Sequence, residues 1–141
     1  MRFLDKTLPA PLNDVCVAAN FNLASIGASQ TVSFIRFRSG TNAAVGRVYV
    51  NATRQVKVKN DLTGVQTSNV WTMPTGWHRF EACARTSGAT GEIRLYTDGV
   101  LRSTMASNIG TAPITGFRLF ADANCIFTGN VDDVVVDQAA G

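Results

Sequence analysis

Apolar and polar residues alternate along most of the chain. Val15, Val17, Ala19, Phe21 and Leu23 are separated by Cys16, Ala18, Asn20 and Asn22. Arg47, Tyr49 and Asn51 alternate with Val48 and Val50, and Gln55, Lys57 and Lys59 with Val56 and Val58. A period of two puts successive side chains on opposite faces of an extended backbone, so each run predicts a half-buried strand. Runs at 2–7, 32–37, 77–85, 92–97, 100–102, 115–121 and 131–137 are short and mostly rich in β-branched or aromatic residues. No window sustains helical apolar spacing behind a capping residue. About ten to twelve strands at this spacing predict an all-β, two-sheet antiparallel sandwich in one domain over residues 1–141. The turns agree. Asp98-Gly99 between two such runs is a tight hairpin signal. Asn60-Asp61-Leu62-Thr63-Gly64 offers side-chain caps and a glycine for positive φ, and residues 87–91 read as a hairpin tip.

Composition narrows the classes. With 45% hydrophobic and 16% charged residues the chain is not a disordered polymer. No apolar run approaches the roughly 18 residues of a membrane-spanning helix, so membrane insertion is not expected. The net charge of +3 matters less than its distribution. Residues 15–60 hold six bases (Arg36, Arg38, Arg47, Arg54, Lys57 and Lys59) and no acid. Residues 119–141 hold four acids (Asp122, Asp132, Asp133 and Asp137) and no base. This asymmetry predicts a basic face and an acidic region, suited to docking on copies of itself or on an acidic polymer. Aromatics do not interleave with the bases as in a stacking platform, so nucleic acid is not the expected partner. The N-terminal residues lack the apolar core of a signal peptide. Cys16, Cys83 and Cys125 are odd in number, far apart and set among apolar residues, which predicts buried free thiols. A reducing cytoplasm, or a chain that has lost its leader, fits that expectation, as does a virion part assembled inside a cell.

Two stretches carry a family resemblance. Gly76-Trp77-His78-Arg79-Phe80-Glu81, then a Gly-rich turn, then Arg94-Leu95-Tyr96-Thr97-Asp98-Gly99-Val100-Leu101, resembles the laminin-G-like signature. Phe127-Thr128-Gly129-Asn130-Val131-Asp132-Asp133-Val134-Val135-Val136 resembles the last strand of the same superfamily. The resemblance implies a concanavalin A-like jelly roll of the laminin-G-like kind. It implies little about function, since the fold hosts lectins, hydrolases, lyases, adhesion modules and virion proteins. Members usually carry another strand or two ahead of the point where this chain begins. A missing strand would leave an open sheet edge that invites pairing with another chain.

The chemistry-bearing residues point away from catalysis. His78 is the single histidine and shares a face with Phe80, Ala82 and Ala84. Hydrolysis at a glycosidic bond needs two carboxylates at a set separation. Glu81 and Glu92 stand singly, and alternation sends Asp132 and Asp133 to opposite faces, one half-buried and the other in water. Gln30, Arg36, Arg38 and Tyr49 do not match the spacing of a lyase. No cofactor is required. A structural calcium ion would suit Asp122, Asn124, Asn130, Asp132 and Asp133, which are hard oxygen ligands near the last strand. For a glycan, Trp71 and Tyr49 would supply aromatic surface, with Arg36, Arg38, Lys57 and Lys59 beside them. Trp77 and Tyr96 are further aromatic candidates.

Two readings follow. In one, the chain is a non-catalytic surface adhesion or carbohydrate-recognition module, extracellular or at a cell surface. In the other, it is a virion structural protein, a capsid decoration or tail component, acting by subunit contacts through an open edge. A polysaccharide-cleaving enzyme is the third and weakest fit.

Overall fold

A computed structural model describes residues 4–40, 43–121 and 126–138. Its strands are β1 (Leu4–Leu12), β2 (Asp14–Ile26), β3 (Thr31–Ser39), β4 (Ala43–Asn51), β5 (Gln55–Asn60) and β6 (Trp71–Thr72), then β7 (Trp77–Arg85), β8 (Glu92–Thr97), β9 (Val100–Ala106), β10 (Ile114–Ala121) and β11 (Phe127–Gln138). One 3-10 turn, Gly88–Thr90, interrupts them. They form two antiparallel sheets, β1-β10-β3-β4-β5-β6 and β11-β2-β7-β8-β9. The all-β sandwich predicted from alternation is the observed architecture.

The alternation decides which side of each strand is buried. Val15, Val17, Ala19, Phe21 and Leu23 of β2 are fully buried, as are Val48, Val50, Val56 and Val58 from the facing sheet. Phe21 and Phe34 stack at 4.5 Å between the sheets, with Phe80 and Phe120 edge-on to both. Truncating such a ring to alanine costs about 3–5 kcal/mol. Gly129, which opens the last-strand motif, is needed for this packing. A Cβ there would lie 2.9 Å from the Asn22 carbonyl oxygen and 3.2 Å from the Phe120 ring. The Asp98-Gly99 turn also forms as expected. Both residues have positive φ (49° and 79°), and Thr97 pairs directly with Val100.

Two expectations fail. Cys16 and Cys83 are not free thiols but a disulfide, with Cα atoms 4.0 Å apart. They are 67 residues apart in sequence, yet the β2–β7 register sets them directly opposite each other. Asp132 and Asp133 do not divide into a half-buried and a solvated carboxylate; both are exposed. A bulge between Asp132 and Val135, with Asp133 at φ 52°, breaks the alternation on which that expectation rested. The stretch around Trp71 includes the short strand β6. Residues 1–3, Asp122, Asn124 and Cys125 lie outside the described residues. The sheet edges are β1 and β6 on one side of the sandwich pairings, and β11 and β9 on the other.

Candidate functional site

Pairing register assembles the basic residues on the outer face of the six-stranded sheet. Asp5 lies opposite Arg118, Arg118 opposite Arg36, Arg36 opposite Arg47, and Arg47 opposite Lys59. Directly opposed residues share a face, so these five form one row across β1, β10, β3, β4 and β5. A second row runs Ser33, Tyr49 and Lys57. Arg38 stands two residues on from Arg36, close enough for the two charges to act on each other.

Asp61 is the hub of the first row. Its side chain is 4% exposed, with Oδ1 2.7 Å from Arg47 Nη2 and Oδ2 3.6 Å from Arg36 Nε. The predicted turn at residues 60–64 puts it there. Asn60 Oδ1 accepts from the Leu62 and Thr63 amides, and the Asp61 amide donates to the Val45 carbonyl. Asp5 Oδ2 lies 3.5 Å from Arg118 Nε. The Tyr49 hydroxyl donates to Gln66 Oε1, and burial pushes its phenol up from the ordinary value. The Arg38 guanidinium is pushed down by burial and by the neighbouring Arg118 and Arg36, a sign of crowded positive charge. Two depressions flank the row. One of about 340 Å³ includes Asp5, Lys6, Thr7 and Arg38 in its lining; the other, about 170 Å³, is bounded by Thr31, Arg47, Tyr49 and Lys59.

Five of the six residues nominated for a ligand thus share one face: Arg36, Arg38, Tyr49, Lys57 and Lys59. Trp71 does not join them. It pairs with Val56, which faces the core, so it is one step out of phase with Lys57. Its ring packs edge-on to His78 at 5.3 Å and Phe80 at 5.9 Å, under the Arg102 guanidinium at 5.1 Å. Arg54, one of the six bases in the acid-free segment, is also elsewhere. Its guanidinium donates to the carbonyls of Met73, Leu23 and Pro74, clamping loops at one end of the sandwich. Arg47, Arg118 and Asp61 complete the basic face and were missed as site residues. Arg47 and Arg118 each sit between apolar neighbours in an alternating run, which is the signal that places them outward.

His78 has a structural setting. Its Nδ1 lies 2.7 Å from Asp98 Oδ2 and its Nε2 3.2 Å from the Thr75 carbonyl oxygen. Of the calcium candidates within the described residues, Asp132 Oδ1 accepts from the Asp133 amide and Asp133 Oδ2 from Asn20 Nδ2. Among the described residues no three His, Cys, Asp or Glu side chains gather as a metal site.

No family model and no curated protein matches the sequence. Solved structures do match. One is a sialidase, with TM-score 0.72 and 14% identity over 96% of this chain but only 14% of that one. Another is the cellulose induced protein Cip1, with TM-score 0.72 and 20% identity over 97% of this chain and 72% of that one. The carbohydrate binding module CBM66 from Bacillus subtilis has TM-score 0.63 and 14% identity over 96% of this chain and 82% of that one. The shared feature is the jelly-roll β-sandwich. At these identities the likeness is one of fold alone.

Proposed function

We propose that this chain is a non-catalytic carbohydrate-recognition module of the laminin-G-like kind, holding an anionic glycan across the outer face of its six-stranded sheet. The observation that carries this reading is the group of cations spanning four strands, β10, β3, β4 and β5. Arg36, Arg38, Arg47, Arg118, Lys57 and Lys59 face two carboxylates, Asp5 and Asp61. Guanidinium forks match the geometry of carboxylate and sulfate oxygens, and the lysines add mobile point charges. The fold shared with a carbohydrate binding module supports the same reading. Both carboxylates on this face are tied to arginines, which leaves no acid–base pair poised for bond cleavage. The disulfide supports an oxidising compartment, and hence an extracellular or cell-surface adhesion role.

The test is calorimetric titration with oligogalacturonate and heparin-derived oligosaccharides, against neutral oligosaccharides, from 50 to 500 mM salt. Anionic chains bind, affinity falls as the Debye length shrinks, and Lys57→Ala with Lys59→Ala weakens binding about tenfold, or roughly 1.4 kcal/mol. Salt-independent binding, or none by anionic chains, overturns the reading.

A second reading, assembly through β11, rests on a separate observation. β11 is an edge strand on which Val134, Val135 and Val136 are 37%, 49% and 41% exposed. Consecutive exposed valines on an open edge suit strand pairing with another subunit, as in a virion. Light scattering at low and high salt decides it: a monomer at several hundred micromolar sinks it.

A further inference from the structure

The outer face of the five-stranded sheet carries a different set of groups. On β7, Trp77, Arg79 and Glu81 point the same way as alternate residues, spaced about 6.8 Å apart per pair. Trp77 is 51% exposed. Register places Asn22 beside Trp77, Asn20 beside Arg79, and Tyr96 beside Glu81. A depression of about 290 Å³ is lined by Arg79, Glu81, Tyr96 and Gly99. Gly99 borders open space, with nothing within 4 Å of where a Cβ would be.

The polar groups here are weakly engaged. Arg79 Nη1 donates to Asn20 Oδ1 at 3.4 Å, and Arg94 Nη1 to the Tyr96 hydroxyl at 3.5 Å, both near the limit of a hydrogen bond. Neither the Glu81 carboxylate nor the Trp77 indole N–H has a hydrogen-bond or ion-pair partner among the described residues. Trp77 is exposed and Glu81 half-exposed, so both groups meet solvent and are open to a ligand.

We propose that this face is a second binding site, for a neutral oligosaccharide of two or three rings. A pyranose has an apolar C–H face and a rim of hydroxyls, each both donor and acceptor. The exposed Trp77 ring matches the first. Arg79, which only donates, and Glu81, which only accepts, match neighbouring hydroxyls on the rim. Ligand pockets run from roughly 300 Å³ upward, so this depression holds about one ring while the next extends over Trp77. The charges of Arg79 and Glu81 cancel, and the carboxylate disfavours a uronic or sulfated sugar. The occupant is therefore of the opposite class to that proposed for the basic face, and the site stands whether or not that face binds anything. With both in place, the module bridges an anionic chain on one side and a neutral one on the other.

The test uses cello-, xylo-, manno- and maltohexaose as probes, read by calorimetry and by acrylamide quenching of tryptophan. Trp71→Phe leaves Trp77 as the sole reporter, since the chain has two tryptophans. At least one probe is expected to saturate, to shield Trp77 from quencher and to show little salt dependence. Trp77→Ala is expected to weaken it at least tenfold and Glu81→Gln several-fold, while Lys57→Ala with Lys59→Ala leaves it unchanged. Trp77 and Glu81 are at the surface, so circular dichroism and the urea midpoint should match the parent. No saturation by any probe at 10 mM overturns the proposal. So does binding that survives Trp77→Ala, or binding abolished by the lysine pair. Failure of the anionic titration alone would overturn only the reading of the basic face.

Discussion

Asp61 and Glu81 show how differently the two outer faces treat a carboxylate. Asp61 is held between Arg36 and Arg47 with its side chain 4% exposed. Glu81 lies two residues from Arg79 on the same strand, without a partner among the described residues. Both faces arise from the same alternation of apolar and polar positions. On the six-stranded sheet the outward positions are cations that need an internal acid to be tolerated side by side. On the five-stranded sheet they are mixed in sign and interleaved with aromatics; Glu92 pairs with Arg85 and Arg94, and a covalent cross-link is added. Both faces carry ion pairs but only the second carries a disulfide, so reduction acts on one face and loss of Asp61 on the other.

Reduction is the largest. The disulfide joins β2 to β7 across 67 residues, and closing a loop of that length is worth about 4 kcal/mol in the chain-entropy account. Urea unfolding with and without dithiothreitol should differ by roughly that amount. The folded, reduced protein should still bind anionic oligosaccharide with unchanged affinity. A coupled loss would mean the two faces are not independent.

Asp61→Asn comes next. Breaking a fully buried ion pair costs about 3–5 kcal/mol, and the partial exposure of Arg36 and Arg47 reduces that to roughly 2–3 kcal/mol here. Affinity should move the other way. With Asp61 neutral, the face gains one unit of net positive charge, and anionic oligosaccharide should bind several-fold tighter. A variant that loses stability and affinity together would show that Asp61 positions the arginines rather than competes for them.

Much of this was legible in the chain because alternation is a local property. Arg36, Arg38, Lys57 and Lys59 could be assigned to outward positions from their neighbours alone, and Asp98-Gly99 could be read as a turn from its own backbone requirement. Failures came where a single irregularity or a long-range register mattered. One extra residue at the Asp132–Val135 bulge undid the facing of two carboxylates. Trp71 fell on the inward side because of its pairing with Val56, which no local pattern encodes. Cys16 and Cys83 met because β2 and β7 are neighbours, a fact of topology rather than of spacing.

The smallest effect belongs to Asp98, at the β8–β9 turn of the five-stranded sheet. Partial burial would raise its carboxyl pKa, but the Arg79 amide, the His78 ring and the Arg102 guanidinium outweigh burial and hold it below its ordinary 3.8. A carboxyl with a lowered folded pKa stabilises the fold above its unfolded value, and that contribution is lost as pH falls through the folded one. At 43% side-chain exposure solvent screens the interaction, so the contribution is about 1 kcal/mol or less. Asp98→Asn keeps the acceptor for the Arg79 amide and tolerates the positive φ of 49°. Its urea midpoint should therefore sit slightly below the parent's at pH 7 and converge with it near pH 2. Curves that stay parallel over that range would show that the turn is held by backbone conformation and not by charge.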